Sequence, residues 1–211
     1  MHRTRIEICG LTRPEDAAAA VAAGADALGV ILAPSKRQVT LEQATAVFAE
    51  APPLVARVGV FVDAHVDDVW EACARLGLHA VQFHGDEAPE TCEASPVPVI
   101  KALRVSPGFD PLTVERYRGV VSALLLDTFV AGEQGGTGQA FGWREVAGRL
   151  PQWAPVLLAG GLGPDNVAEA IDVLTPFAVD VSSGVEQSPG VKDHRLIERF
   201  VAAVRSAGVP A

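Results

Sequence analysis

Arg5-Ile6-Glu7-Ile8-Cys9-Gly10 reads as a short strand that stops abruptly at a cysteine and then a glycine. What comes next decides which kind of strand it is. Thr12-Arg13-Pro14-Glu15 has the marks of a helix start, with Thr12 as cap, Glu15 returning the bond from the third position and Pro14 in the tolerant first turn. That helix continues through the alanine-rich residues 17–23 and stops at Gly24, a residue suited to a left-handed cap. A second apolar run at 27–31 begins the cycle again.

The cycle repeats to the end of the chain. Runs at 54–61, 80–83, 97–102, 123–126, 156–159 and 177–181 read as further strands. Segments at 40–50, 66–76, 89–93, 112–117, 143–150, 164–174 and 193–207 read as helices, the one at 112–117 weakly written. Continuously apolar strands are what a sheet covered on both faces requires. Strict strand–helix alternation gives an α/β fold. Eight such units over 211 residues favour one domain spanning 1–211, a closed parallel (βα)8 barrel near the small end of that fold's range. An open doubly wound sheet is the competing arrangement. In the barrel, Cys9 stands at the carboxyl end of the first strand, on the rim where such folds carry their chemistry.

Composition narrows the function. A formal net charge of −9 argues against nonspecific nucleic-acid binding, which needs a basic face. It also means that an anionic substrate must be held locally, by backbone N–H groups and a few placed arginines. Three cysteines, Cys9, Cys73 and Cys92, with no C-x-x-C spacing, give neither a disulfide framework nor a zinc site. A reducing cytoplasm is the natural compartment. The polar N-terminus runs straight into the first strand, so no signal peptide is expected, and no apolar run approaches the roughly 18–20 residues that span a bilayer.

Parallel strands deliver all their carboxyl ends to one rim. In chain order these ends carry Cys9, His84, Asp127, Gly160-Gly161 and the run from Asp180 to Gly184. The loops after strands seven and eight, with Gly160, Gly161, Ser182, Ser183 and Gly184, are where barrels of this kind commonly hold a phosphate on backbone N–H groups. Glycines that merely make tight turns are the plainer alternative. The loop Gly135-Gly136-Thr137-Gly138 could add donors or act as a lid. Cys9 and Asp127 suit acid–base work on a sugar, where one group takes a carbon-bound proton and another protonates a leaving oxygen. A lone cysteine is more commonly a small buried apolar residue, the part assigned to Cys73 and Cys92. A carboxylate closing the run 123–126 is costly to bury without a partner. Arg37 offers a planar fork to a carboxylate, or is a solvated surface residue beside Lys36; His84 bonds a substrate hydroxyl or simply the backbone.

The stretches 8–17, 82–87, 126–127, 135–141, 159–162, 180–186 and 189–193 together resemble phosphoribosylanthranilate isomerase, in that family's order and over nearly the whole chain. The resemblance implies a (βα)8 barrel and an Amadori rearrangement of N-(5-phosphoribosyl)anthranilate, a step of tryptophan biosynthesis, with no metal and no organic cofactor. It implies Asp127 as general acid and Cys9 as general base. It implies Arg37 at the anthranilate carboxylate, with Gln82, His84 and Asp180 lining the sugar, and Gly136, Gly160, Gly161, Ser182, Ser183 and Gly184 in the phosphate cradle. Members of the family occur as monomers and dimers. Neighbouring readings are another phosphate-barrel enzyme, such as indole-glycerol-phosphate synthase or a histidine-pathway sugar isomerase, and a non-catalytic barrel that binds a phosphometabolite. The chain departs from the family at Glu7, where lysine is usual. By strand alternation Glu7 points to the same side as Cys9. Unpaired, its carboxylate would raise the thiol's pKa, so a pairing with Lys101 is expected.

Overall fold

The computed structural model describes residues 3–105, 112–127 and 151–207. Its frame is a closed barrel of eight parallel strands in sequence order. These are β1 (Arg5–Ile8), β2 (Ala27–Ile31), β3 (Ala56–Phe61), β4 (Ala80–Phe83), β5 (Val99–Arg104), β6 (Ala123–Asp127), β7 (Val156–Ala159) and β8 (Ala178–Val181). Described helices are α1 (Pro14–Ala23), α2 (Leu41–Phe48), α3 (Val66–Leu76), α4 (Pro89–Glu93), α5 (Leu112–Glu115), α6 (Val167–Leu174) and α7 (His194–Ser206). A hairpin of β9 (Glu186–Ser188) and β10 (Val191–Lys192) stands between β8 and α7. The loop at Gly135–Gly138 and the helix expected at 143–150 lie outside the described residues. No helix among the described residues is long and apolar enough to cross a membrane.

Two shells of apolar side chains hold the barrel. The inner one is small: Val58, Ile100, Ala102, Ala123, Leu125, Leu157, Ala159 and Ala178. The outer one joins the strands' other faces (Ile6, Ile8, Leu28, Val30, Leu124, Val179) to helix residues such as Ala17, Val69, Ile171 and Phe200. Both faces of the strands are therefore largely apolar, which is why their sequences show no regular polar alternation; among the polar exceptions, Glu7, Gln82, Lys101 and Asp180 are buried.

Local expectations are met in part. Gly24 (φ +100°) and Gly77 (φ +59°) end their helices in the left-handed region. Thr40 and Gln43 form the reciprocal capping box of α2. The box expected at Thr12 does not form. Helix α1 starts at Pro14 with Arg13 at its cap position and no side-chain cap bond, because the Thr12 hydroxyl donates instead to the Gly190 carbonyl of the hairpin. Strand β3 starts two residues late: Leu54 is exposed at φ +76°, outside the sheet. Strand β5 runs later than expected, from Val99 to Arg104, in register with β6 as far as Asp127.

Candidate active site

A cleft of about 460 Å³ opens at the carboxyl ends of the strands. Cys9, Arg37, Gln82, His84, Asp127, Gly160, Gly161, Asp180, Ser182 and Ser183 line it, with Ile31, Val60 and Leu162 as apolar wall. Of the residues singled out in the sequence, Gly184 lies next along the chain beside this lining, and Gly136 falls outside the described residues.

Cys9 follows the last residue of β1, and its N–H donates to the Val181 carbonyl, so the thiol is fixed against β8. Gly10 then turns at φ +69°; a Cβ there would meet Ser182 Oγ at 2.6 Å and Arg37 Cδ at 2.7 Å. Its bareness lets those two side chains close around Cys9. Asp127 ends β6 in register with Ala159 of β7. His84, one residue beyond β4, places Nε2 3.4 Å from Asp127 Oδ2. Cys73 and Cys92 are buried elsewhere, in the helical shell.

Arg37 is neither solvated nor loose. Its Nε and Nη2 donate to the two oxygens of Glu186, at 2.8 and 2.7 Å. Burial opposes the Glu186 charge, but Arg37 and Lys192 outweigh it and hold the carboxyl below its ordinary range. Lys192, 1% exposed, reaches under the site from β10. Its Nζ donates to Cys9 O (2.6 Å), Ser182 O (3.0 Å) and Glu186 Oε1 (3.0 Å). Sequence reasoning gave Glu186 and Lys192 no role. A lysine between Val191 and Asp193 reads as a surface residue, and only the hairpin's fold back over β1 and β8 buries it.

The phosphate-type loops also converge. Gly160 (φ +86°) and Gly161 (φ +64°) turn the chain after β7 in a conformation that disfavours any side chain. Ser182, Ser183 and Gly184 follow β8, with a single 3-10 turn over Ser183–Val185.

The expected Glu7–Lys101 pairing is not made. Glu7 projects into the barrel, whereas Lys101 sits between the inward Ile100 and Ala102 and so faces outward. There its Nζ donates to Glu87 Oε2 (2.9 Å) and to the carbonyls of Phe83, Gly85 and Ala102. Tyr117 Oη donates to the Glu87 carbonyl alongside. Breaking a buried pair by removing one partner costs about 3–5 kcal/mol. Glu87→Ala is therefore expected to lower unfolding free energy by about that amount in urea melts. A loss below about 1 kcal/mol would show that three carbonyls alone can hold the ammonium.

Glu7 instead stands beside Asp180, its register partner on β8. Glu7, Cys9 and Asp180 bring a carboxyl oxygen, Sγ and a carboxyl oxygen within 4.8 Å of one another. Burial and then Asp180 push the Cys9 thiol well above its ordinary value, Glu7 adding to this only in its ionised form, while Lys192 pulls it back. Burial and then Asp180 push Glu7 well up. Burial lifts Asp180 to about 6, against the pull of His84, Gln82 and Lys192. A metal would need all three deprotonated, and burial favours their protonated forms, so the set is built to share protons. Three of the buried side-chain atoms without a hydrogen-bond partner among the described residues belong to residues that line this cleft, Gln82 Nε2, His84 Nε2 and Asp180 Oδ1, and a fourth, Glu7 Oε1, lies next to Asp180 beneath it. Such atoms are costly in a core and mark a place shaped for a polar ligand.

The family profile described as N-(5'phosphoribosyl)anthranilate (PRA) isomerase matches residues 6–203. An N-(5'-phosphoribosyl)anthranilate isomerase of Pseudomonas putida F1 is 51% identical over 209 residues, covering 98% of this chain and all of the relative. A crystal structure of phosphoribosyl anthranilate isomerase from Thermotoga maritima superposes with a TM-score of 0.88 at 43% identity, over 96% of this chain and 98% of that one. A second crystal structure, of the isomerase in complex with reduced 1-(o-carboxyphenylamino)-1-deoxyribulose 5-phosphate, gives a TM-score of 0.83 at 41% identity, over 96% and 98% of the two chains. The barrel, the converging strand ends and these matches over nearly the full length agree: the chain belongs to the phosphoribosylanthranilate isomerase family.

Proposed function

We propose that this chain converts N-(5-phosphoribosyl)anthranilate to 1-(2-carboxyphenylamino)-1-deoxyribulose 5-phosphate by acid–base catalysis, with Asp127 as acid and Cys9 as base. The observation that carries the assignment of roles is that these two, from strands β6 and β1, line one cleft together with the glycine loops after β7 and β8.

Asp127 gives a proton to the ribose ring oxygen as the nitrogen lone pair forms the C1=N bond and the ring C–O bond breaks. The product is an open-chain iminium, positive beside Sγ. That charge favours the thiolate and acidifies the C2 hydrogen at the same time. Cys9 takes the C2 proton, the C2–H electrons become the C1=C2 bond of an enolamine, and the C1=N electrons return to nitrogen. Tautomerisation moves the enol proton to C1 and leaves the ketone, and the proton gained by Cys9 passes back through solvent to Asp127, which restores the starting site. Lys192, bonded to the Cys9 carbonyl, is the fixed positive charge on the thiolate's side.

Arg37 takes the anthranilate carboxylate, its plane already set by the fork onto Glu186. Gln82, His84 and Asp180 meet the sugar hydroxyls, and Gly160, Gly161, Ser182, Ser183 and Gly184 hold the phosphate, a role the family resemblance extends to Gly136. The thiol's need to stay reduced fits a cytoplasmic enzyme. Purified protein is expected to extinguish the anthranilate fluorescence of the substrate, and the gene to rescue a tryptophan auxotroph lacking this step. Binding of the substrate without turnover would instead favour a non-catalytic barrel.

A further inference from the structure

The strongest unexplained feature is a carboxyl where a catalytic thiol is least helped by one. Glu7 is 2% exposed, and its Oε1 has no hydrogen-bond partner among the described residues. Asp180, in register beside it on β8, is likewise buried with Oδ1 unpartnered. No described ion pair reaches either of them.

We propose that Glu7 is a positioning residue that works as a neutral acid: it keeps one proton in the floor of the cleft and leaves Asp180 as the floor's single negative charge beside the Cys9 thiol. What that thiol does rests on the isomerase reading; the proton's location does not.

The groups around Glu7 decide which carboxyl keeps the proton. On β1 itself it faces Cys9 above, while Arg5, one pleat below, lays its guanidinium 4.2 Å over the Phe177 ring at the outer end. On β2 it faces Ala27 and Gly29, which carry no charge. A Cβ on Gly29 would lie 2.8 Å from Glu7 Oε1 and 2.9 Å from Cys9 Sγ, so glycine there leaves the two groups a shared space. On β8 it faces Asp180. From across the barrel His84 and Asp127, and from the hairpin Lys192, act on Asp180; His84 and Lys192 favour its charge and Asp127 opposes it. Two neighbouring buried carboxyls cannot both ionise. Asp180 has Lys192, His84 and the Gln82 amide to support a charge, and Glu7 has only burial and Asp180 itself, both of which favour its acid form.

The consequence is functional. With Glu7 neutral, the thiolate forms beside one anion. With Glu7 ionised it would form beside two, and a like charge at this range raises a neighbour's pKa by about 1–3 units. Glu7 thus sets the upper pH edge of the site rather than suppressing it at neutrality.

The test needs no substrate, so it stands apart from the isomerase assignment. Infrared difference spectra of wild type minus Glu7→Gln at neutral pH are expected to contain the carbonyl band of a protonated carboxyl, fading in wild type as pH is raised. Iodoacetamide alkylation of Cys9, followed by mass spectrometry of its peptide at neutral pH, is expected to differ less than threefold between wild type and Glu7→Gln. Glu7→Lys, which puts a positive charge at the same spot, is expected to raise the rate about tenfold or more. A missing carboxyl band overturns the proposal. So does a rise of threefold or more in Glu7→Gln, since Glu7 would then have been charged, and so does an unchanged rate in Glu7→Lys. A measurement on stability gives the sign independently. A carboxyl raised above its ordinary 4.5 supplies stability below that pH and loses it as pH rises toward the folded-state value. Glutamine loses nothing, so Tm of Glu7→Gln relative to wild type is expected to climb with pH above about 4.5, and a flat difference overturns the proposal.

Discussion

Cys9→Ala and Asp127→Asn are each expected to lower kcat by roughly 10²–10⁴-fold or more, with the fold intact. Each substitution removes one proton transfer and little else. Cys9 contributes a small buried side chain held by its backbone bond to Val181, and alanine keeps both the bond and most of the volume. Asparagine copies the shape of Asp127 but has no proton acidic enough to give the ring oxygen. The proposed phosphate and carboxylate contacts lie elsewhere in the cleft, so KM is expected to move far less than kcat. The two losses are not expected to add, because the steps are sequential and the slower one governs. The double variant should therefore be about as slow as the worse single one. Steady-state fluorescence assays on the three variants, with thermal melts to confirm folding, settle the matter. Wild-type turnover in either single variant would strip that residue of its role.

That both residues could be placed on one rim beforehand has a physical reason. Apolar runs locate strands, parallel topology sends every strand's carboxyl end to one rim, and a polar residue at such an end is then placed without any side-chain detail. Cys9, His84, Asp127 and Asp180 were all legible this way. The supporting charges were not. Lys192 is buried by a hairpin whose return over β1 leaves no periodic mark, and Glu186 becomes an ion-pair hub only when Lys192 and Arg37 meet it. The Glu7–Lys101 expectation failed for a related reason. In strands buried on both faces, polarity does not reveal which residues face inward, so the parity of Lys101 against Ile100 and Ala102 had to be seen. Thr12 shows a tertiary partner overriding a local rule, since the Gly190 carbonyl takes the hydroxyl a cap would have used. Leu54 shows apolarity without a strand to join.

The second large effect is expected at Gly184. Its backbone lies so close to the loop after β7 that an added Cβ would stand 1.8 Å from the Leu162 carbonyl oxygen, 2.9 Å from its carbon and 3.1 Å from Gly163 Cα. All three are backbone atoms, so no side chain can swing away to make room. Gly184→Ala must push the β7 and β8 loops apart by an ångström or more, and these two loops together are the proposed phosphate cradle. Overpacking of this kind costs about 1–3 kcal/mol of stability. Displacing positioning groups by about 1 Å can cost on the order of 10²-fold in rate. The expected result is a folded, less stable protein whose kcat/KM falls roughly 10²-fold, mostly through KM, and which, unlike the wild type, is expected to gain no protection from inorganic phosphate in thermal melts. Gly161→Ala is the matched control. It also has a positive φ, but nothing lies within 4 Å of its added Cβ, so it strains one residue without parting the loops. If both variants lose phosphate protection equally, backbone strain and not loop contact governs the cradle. If Gly184→Ala keeps KM unchanged, the phosphate is held elsewhere on the rim.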